Sequence, residues 1–195
     1  KPNHSRPWAI KVFNGNLILD KANNVRPGEE LDIPRIDNWL KANIEGLEGT
    51  PSVTQYSGGA SNWTYCLSYD NREIILRRGP AGTKAKGAHD MGREFRLQDA
   101  LKPVYDYVPQ MLAFCEDDTV LGTDFYVMEK LTGVIPRKNL PKGLTLDKAT
   151  TQTLCKNVLD CMIGLHKGDY NAADLSHLGK GAGYTQRQSD GWSHR

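Results

Sequence analysis

Apolar positions change their period three times along the chain, and each change marks a different kind of element. Ile33, Ile36, Leu40 and Ile44 recur at spacings of three and four, which places them on one face of a helix over about Ile33 to Ile44. Asp32 is suited to cap it and Pro34 to its first turn. The spacing then tightens to alternation. Val53–Tyr56, Trp63–Tyr69 and Glu73–Arg78 read as strands, rich in β-branched and aromatic side chains. A glycine turn, Ser57-Gly58-Gly59-Ala60-Ser61-Asn62, joins the first two, and Asp70-Asn71 turns between the second and third.

Met91–Leu101 returns to helical spacing with Phe95 inward and is stopped by Pro103. Met111–Cys115 and Phe125–Met128 are two further strands, with a turn at Glu116-Asp117-Asp118. Beyond Leu131-Thr132-Gly133, the segment Ile135–Leu144 reads as a connecting loop. A long helix follows over Leu146–His166, capped by Thr145, with Leu154, Val158, Cys161 or Met162, and Leu165 along one face. Ahead of the first helix, Ala9–Leu19 reads as a small hairpin around Asn14-Gly15, and Asn23–Leu31 as a linker. Gly79–Asp90 is expected to be a flexible loop, and Lys167–Arg195 to hold no complete core element. There is no internal repeat.

This order predicts an α+β fold: an antiparallel sheet with helices, then the beginning of a helical domain. The expected divisions are an N-terminal extension over 1–31, an α+β lobe over 32–131 and an incomplete helical lobe over 132–195.

Composition narrows the classes without choosing one. The chain of 195 residues is 38% hydrophobic and 25% charged, with a formal net charge of +2; that is an ordinary globular composition, and it gives no reason to expect nucleic acid as a partner. No apolar run approaches the ~20 residues of a membrane-spanning helix. Lys1–Trp8 is polar and proline-bearing, unlike a secretory signal. The first residue is Lys1 rather than methionine, so the chain is expected to start inside a longer gene product. Cys66, Cys115, Cys155 and Cys161 form no CxxC pair and no metal-ligand spacing with histidine. Each lies in an apolar stretch and is expected to be a buried reduced thiol, which favours a cytoplasmic location. The sequon-like Asn3-His4-Ser5 and Asn62-Trp63-Thr64 are then accidental.

Five stretches stand in a telling order: "GGASNWTY", "ILRRGP", "GREFRLQDAL", "CEDDTVLGTDFYVMEKLTG" and the Leu-His that ends the long helix. In that order and spacing the chain resembles the aminoglycoside phosphotransferase-like kinases, with their protein-kinase-like fold. Within them it is similar to the kinase-like domain of some acyl-CoA dehydrogenase family proteins and of many bacterial phosphotransferases. The resemblance runs from about Asp32 to the C-terminus.

The resemblance implies a nucleotide site built from several weak signals. Gly58 and Gly59 would let backbone N–H groups approach phosphate oxygens, with Ser61 and Asn62 as side-chain donors; most Gly-Gly turns merely turn. Arg77 stands where kinases carry a strand lysine that reaches the phosphates, and arginine forks onto such oxygens. Alternation sends Arg77 and Arg78 to opposite faces, so only one enters a cleft; Arg77 is the expected one, against the simpler reading of a solvated basic strand end. Glu94 matches the helix glutamate that would hold that cation, against the simpler reading of a surface charge. Met128 would take a gatekeeper-like place. Glu129, Lys130 and Leu131 would form the hinge that presents backbone groups to adenine, although a core strand and a polar turn explain the composition equally well.

The cofactors implied are ATP and Mg²⁺, with the magnesium ligands in the part of the family pattern that has no counterpart here. The family's His-Gly-Asp loop, with Asn five residues after the Asp, finds only a mimic in His166-Lys167-Gly168-Asp169. That mimic has one residue too many, and Asp174 stands in place of the Asn. No catalytic and no metal residue is therefore assigned. The expected activity is ATP-dependent phosphotransfer to a small-molecule hydroxyl, on a hydroxyacyl thioester or an aminoglycoside-like acceptor, by the longer protein of which this would be a fragment. The alternative is a non-catalytic nucleotide-binding or interaction module, with a homodimer or a partner chain covering its exposed cleft.

Overall fold

The computed structural model of the chain describes residues 20–57, 62–80, 90–135, 139–140, 144–178 and 182–193. The hairpin expected over Ala9–Leu19 and the turn residues Gly58, Gly59 and Ser61 lie outside them, as does most of the loop expected over Gly79–Asp90.

Helix α1, Ile33–Asn43, starts where the sequence places it: the Asp32 side chain accepts from the Arg35 backbone N–H, and Pro34 sits in the first turn. Capping this way satisfies a donor that the helix leaves open, worth about 1 kcal/mol. Ile36 and Leu40 are fully buried; Ile44 turns to extended backbone as the C-cap and still buries its side chain. Within the apolar surroundings Asp37 is paired twice, accepting from the Tyr69 hydroxyl at 2.8 Å and from Lys41 Nζ at 2.8 Å.

Strands β1 (Ser52–Gln55), β2 (Trp63–Ser68), β3 (Glu73–Arg78), β4 (Met111–Cys115) and β5 (Phe125–Glu129) form one sheet in the order β1-β2-β3-β5-β4, antiparallel at each junction. The α+β class expected from the pattern is the one observed. Register assigns the faces. Trp63 pairs with Arg78 and Arg78 with Phe125; Tyr65 pairs with Leu76 and Leu76 with Val127. These residues share one side with Leu67 and Ile74, and α1 packs there to make the main core. Thr64, Arg77 and Tyr126 form the adjacent row, followed by Cys66, Ile75 and Met128; side chains alternate along a strand, so these face the opposite side.

Helix α2, Met91–Leu101, lies on part of that second side. Asp90 caps it by accepting from Arg93 N–H at 2.7 Å. Met91 is fully buried against Met111 and Tyr126, and Phe95 stacks on Phe114 with centroids 5.5 Å apart. Gly92 lets helix and sheet approach closely, since a Cβ there would meet the Phe114 ring at 3.0 Å. The turn expected at Glu116–Asp118 is instead capped by Asp117 into a short helix α3, Asp118–Leu121, closed by Gly122 at φ 72.

Two sequence readings are corrected here. The stretch Asn23–Leu31 is no linker: Asn23 and Gln55 exchange two backbone hydrogen bonds of 2.8 Å, the Tyr65 hydroxyl donates to Glu29 O, and Leu31 is buried. The long helix α4 runs over Lys148–His166 with Asp147, not Thr145, as its cap, because the Asp147 carboxylate is the group that accepts from Thr150 N–H. The tail holds a short 3₁₀ turn, Ser176–Leu178, and a helix α5, Tyr184–Ser193, which buries no residue and so adds no core element, as expected.

No residue of α4 is buried, and Val158, Leu159, Met162, Ile163 and Leu165 are exposed. Its tie to the rest includes a hydrogen bond from the Tyr105 hydroxyl to Cys161 O at 3.0 Å. All four cysteines are free thiols, but only Cys66 and Cys115 are buried; Cys155 is exposed and Cys161 half-buried. Among the described residues, no helix is long and apolar enough to cross a membrane.

Candidate functional site

On its second face the sheet is only half covered. Where α2 stops, the surface over β2 and β3 opens into a cleft of about 430 Å³. Its floor is Thr64 from β2, Ile75 and Arg77 from β3 and Met128 from β5, and its rim runs from Tyr56 to Glu129–Ile135, Pro109 and Asp20. The sheet supplies this floor directly: alternation that buries Leu76 against α1 must turn Ile75 and Arg77 the other way.

The two arginines ending β3 thereby acquire different surroundings. Arg78 is buried on the α1 side, its guanidinium 4.6 Å from the Trp63 ring centroid and 5.7 Å from that of Tyr65. It donates to Leu121 O at 3.3 Å and to the Tyr65 hydroxyl at 3.4 Å. Arg77 faces the cleft, with Nε 3.2 Å from Glu94 Oε2 on α2 and both side chains 35% exposed. Although that distance makes an ion pair, the Nε–H finds no directed hydrogen bond; charge, rather than a fixed bond angle, holds the two together.

Glu94 has further partners. Asn62 Nδ2 donates to Glu94 Oε1 at 3.0 Å, and the Tyr126 hydroxyl donates to Oε2 at 3.1 Å. Gln98 Nε2, one helical turn on, donates to the Tyr126 oxygen at 3.4 Å. Burial pushes the Tyr126 phenol up to about 12, so it remains a neutral donor over the physiological range.

At the end of β5 the remaining expected residues gather. The last paired position is Ile74 with Glu129, so Lys130 and Leu131 carry backbone groups beyond the ladder, at the rim of the cleft. Glu129 itself is held: its N–H donates to Gln110 O at 2.9 Å, and its carboxylate accepts from Gln110 N–H at 3.0 Å and lies 3.7 Å from Lys102 Nζ. Lys130 turns its ammonium to Glu73. That hydrogen bond holds the Glu73 carboxyl below its usual range; burial works most strongly against the Lys130 charge, but the bond to Glu73 and the attraction of Cys66, Tyr56 and Glu73 together outweigh it and the ammonium is raised. Asp20 closes the far wall, donating its N–H to Gly133 O at 3.2 Å and accepting from Ile135 N–H.

Thus Arg77, Met128, Glu129, Lys130 and Leu131 line one cleft with Glu94 behind Arg77, while Gly58, Gly59 and Ser61 lie outside the described residues. Asn62 is buried with its amide donating to Glu94. Tyr126 was not singled out by the sequence; alternation within "FYVMEK" puts it on the same side as Met128, and that was the available signal. Asp20, Tyr56 and Thr64 had none, because they join the cleft only through long-range pairing.

Comparison with known proteins agrees with the fold. A family model described as the phosphotransferase enzyme family matches residues 52–195. Acyl-CoA dehydrogenase family member 11 of Rattus norvegicus is 32% identical over 173 residues, covering 87% of this chain and 22% of the relative. Acyl-CoA dehydrogenase family member 10 of Mus musculus is 34% identical over 176 residues, covering 87% of this chain and 16% of the relative. The chain therefore spans about a fifth of the length of such relatives. A solved structure from Ralstonia eutropha, described as a "putative aminoglycoside phosphotransferase", superposes with a TM-score of 0.69 at 30% identity, over 85% of this chain and 47% of that one.

Proposed function

The chain belongs to the phosphotransferase enzyme family, and from that premise we propose that its cleft binds ATP for transfer of the terminal phosphoryl group to a hydroxyl of a small molecule. The observation that carries this reading is Arg77, a permanent cation set into an otherwise apolar floor and paired with Glu94 on the neighbouring helix. Such a pair suits phosphate: the guanidinium fork matches phosphate oxygens, and the carboxylate keeps it from folding back into solvent. Ile75 and Met128 offer an apolar bed for a base, and the backbone of Lys130 and Leu131 offers the polar groups to orient it. A cleft of about 430 Å³ falls within the ~300–1,000 Å³ usual for small-molecule sites.

Phosphoryl transfer needs positioning and charge neutralisation more than covalent help from the protein. In this cleft Arg77 supplies neutralisation and the strand ends supply position. Among the described residues, no group of three or more His, Cys, Asp or Glu side chains is placed to hold a metal ion. None of the roles given to these residues depends on magnesium. For the acceptor, the acyl-CoA dehydrogenase name of the relatives favours a hydroxyacyl thioester over an aminoglycoside.

Two measurements test the reading. ATP titrated into the chain should bind, and binding should weaken in Arg77→Ala; no heat and no thermal shift with ATP would refute the nucleotide site. The longer protein, given ATP and magnesium with hydroxyacyl thioesters or aminoglycosides, should release ADP with the former.

A further inference from the structure

Glu94 is gripped from two strands and from the residue just before a third, and this goes beyond a simple arginine–glutamate pair. Asn62, next to the start of β2, donates to one carboxylate oxygen at 3.0 Å; Tyr126, in β5, donates to the other at 3.1 Å, where Arg77 of β3 also lies, 3.2 Å away. We propose that Tyr126, with Asn62, is a positioning residue that fixes the Glu94 carboxylate and thereby sets where Arg77 can hold its charge in the cleft. The inference rests on the ATP-binding reading above and adds to it the parts that aim the cation.

The direction of each bond follows from chemistry. A carboxylate can only accept, and both the Asn62 amide and the Tyr126 hydroxyl can donate. The Tyr126 oxygen accepts a hydrogen bond from Gln98 Nε2 at 3.4 Å, which leaves its own O–H to point at Glu94. Gln98 also donates to Glu94 O at 3.2 Å, tying that relay to the helix backbone. Hydrogen bonds to a charged acceptor are stronger than neutral ones, and linked bonds reinforce one another.

The Tyr126 ring has a second task. It is 1% exposed, packs with Met91 and Met111, and lies 6.4 Å from the Phe95 centroid. One residue therefore both seats α2 on the sheet and grips the carboxylate that α2 carries. Arg77 needs this support because its own contact to Glu94 lacks a directed hydrogen bond. If the carboxylate were free to change rotamer, the guanidinium would follow it and lose its place over the cleft floor.

A structural hydroxyl and a positioning hydroxyl differ in what they do to two ligands. Adenosine lacks the phosphates that Arg77 would meet, so its affinity reports the rest of the cleft. ATP and adenosine are titrated separately into the chain, Tyr126→Phe, Arg77→Ala and the double variant. The expected result is a loss of about tenfold in ATP affinity for Tyr126→Phe, the scale of one hydrogen bond. Adenosine affinity should stay within about twofold, and Tyr126→Phe should add no loss to Arg77→Ala. Equal losses for both ligands, unchanged ATP affinity, or a full additional loss in the Arg77→Ala background would each overturn the proposal. If Tyr126→Phe fails to fold, Asn62→Ser is read by the same ratio of ATP to adenosine. Absence of ATP binding by the unaltered chain would instead refute the nucleotide site itself, and the positioning role with it.

Discussion

Arg77 and Arg78 are adjacent in sequence, identical in chemistry and opposite in circumstance. On the α1 face, Arg78 is sealed between Trp63 and Tyr65 and gives its hydrogen bonds to Leu121 O and the Tyr65 hydroxyl. On the other face, Arg77 stands at the edge of a cleft with a carboxylate behind it and open volume in front. One side of the sheet is closed by the core it shares with α1; the other is closed only as far as α2 reaches. A charge inside a closed face stiffens the fold. The same charge beside a gap is available to a ligand. A single pleat, rather than any difference in residue type, separates the two outcomes.

The largest effect should come from breaking the closed face. Phe125→Ala removes a fully buried ring that lies 5.0 Å from Trp39. The expected cost is about 3–5 kcal/mol in denaturant unfolding; a loss under about 1 kcal/mol would mean that this face is not the core. On the open face, Arg77→Ala should leave unfolding nearly unchanged yet weaken ATP binding by about 2 kcal/mol, roughly thirtyfold. Calorimetry on the two proteins checks both halves.

Arg78→Met sharpens the contrast from the other side. It should cost about 2 kcal/mol of stability through lost packing on Trp63 and Tyr65 and leave ATP affinity as it was. If Arg78→Met and Arg77→Ala exchanged these effects, the assignment of faces would be reversed. The smallest effect is electrostatic. Lys130 holds the Glu73 carboxyl below its ordinary value of 4.5. Its contribution is therefore present above that ordinary value and is lost as pH falls through the lower folded value. Because Glu73 is half exposed, Glu73→Gln should cost only about 0.5 kcal/mol near neutral pH. That difference from the unaltered chain should vanish on acidification, as followed by thermal melts at several pH values.

What the sequence disclosed follows from the range of the forces involved. Glu73–Arg78, Met91–Leu101 and Met111–Cys115 carry their own period and stops, and local periodicity sufficed for them. The Asp32 cap was legible for the same reason. The choice of Asp147 over Thr145 was not, since both are good caps a short step apart and backbone geometry picks between them. The pairing of Arg77 with Glu94 was anticipated only because a family pattern supplied the distant partner. The grip of Asn62 and Tyr126 on that glutamate was missed, since each lies 32 positions from it in the chain, beyond anything periodicity can report. Asn23–Leu31 was misread for a related reason. Its composition is that of a linker, and what fastens it is long-range: a bridge to Gln55 and Leu31 packed into the core.

That fastening has a consequence for how the molecule keeps to itself. β1 is the last strand on its side of the sheet, and a bare outer strand is a template on which another chain can pair. Asn23 occupies the position by exchanging two backbone bonds with Gln55, and the Arg26 N–H fills the Gln55 side-chain oxygen at 3.0 Å. With the bridge in place, this short segment should limit self-templated aggregation. Asn23→Pro, which removes the donor, should make the chain scatter light at concentrations where the unaltered protein stays clear. If solutions of the variant stayed equally clear, the guard would have to lie elsewhere.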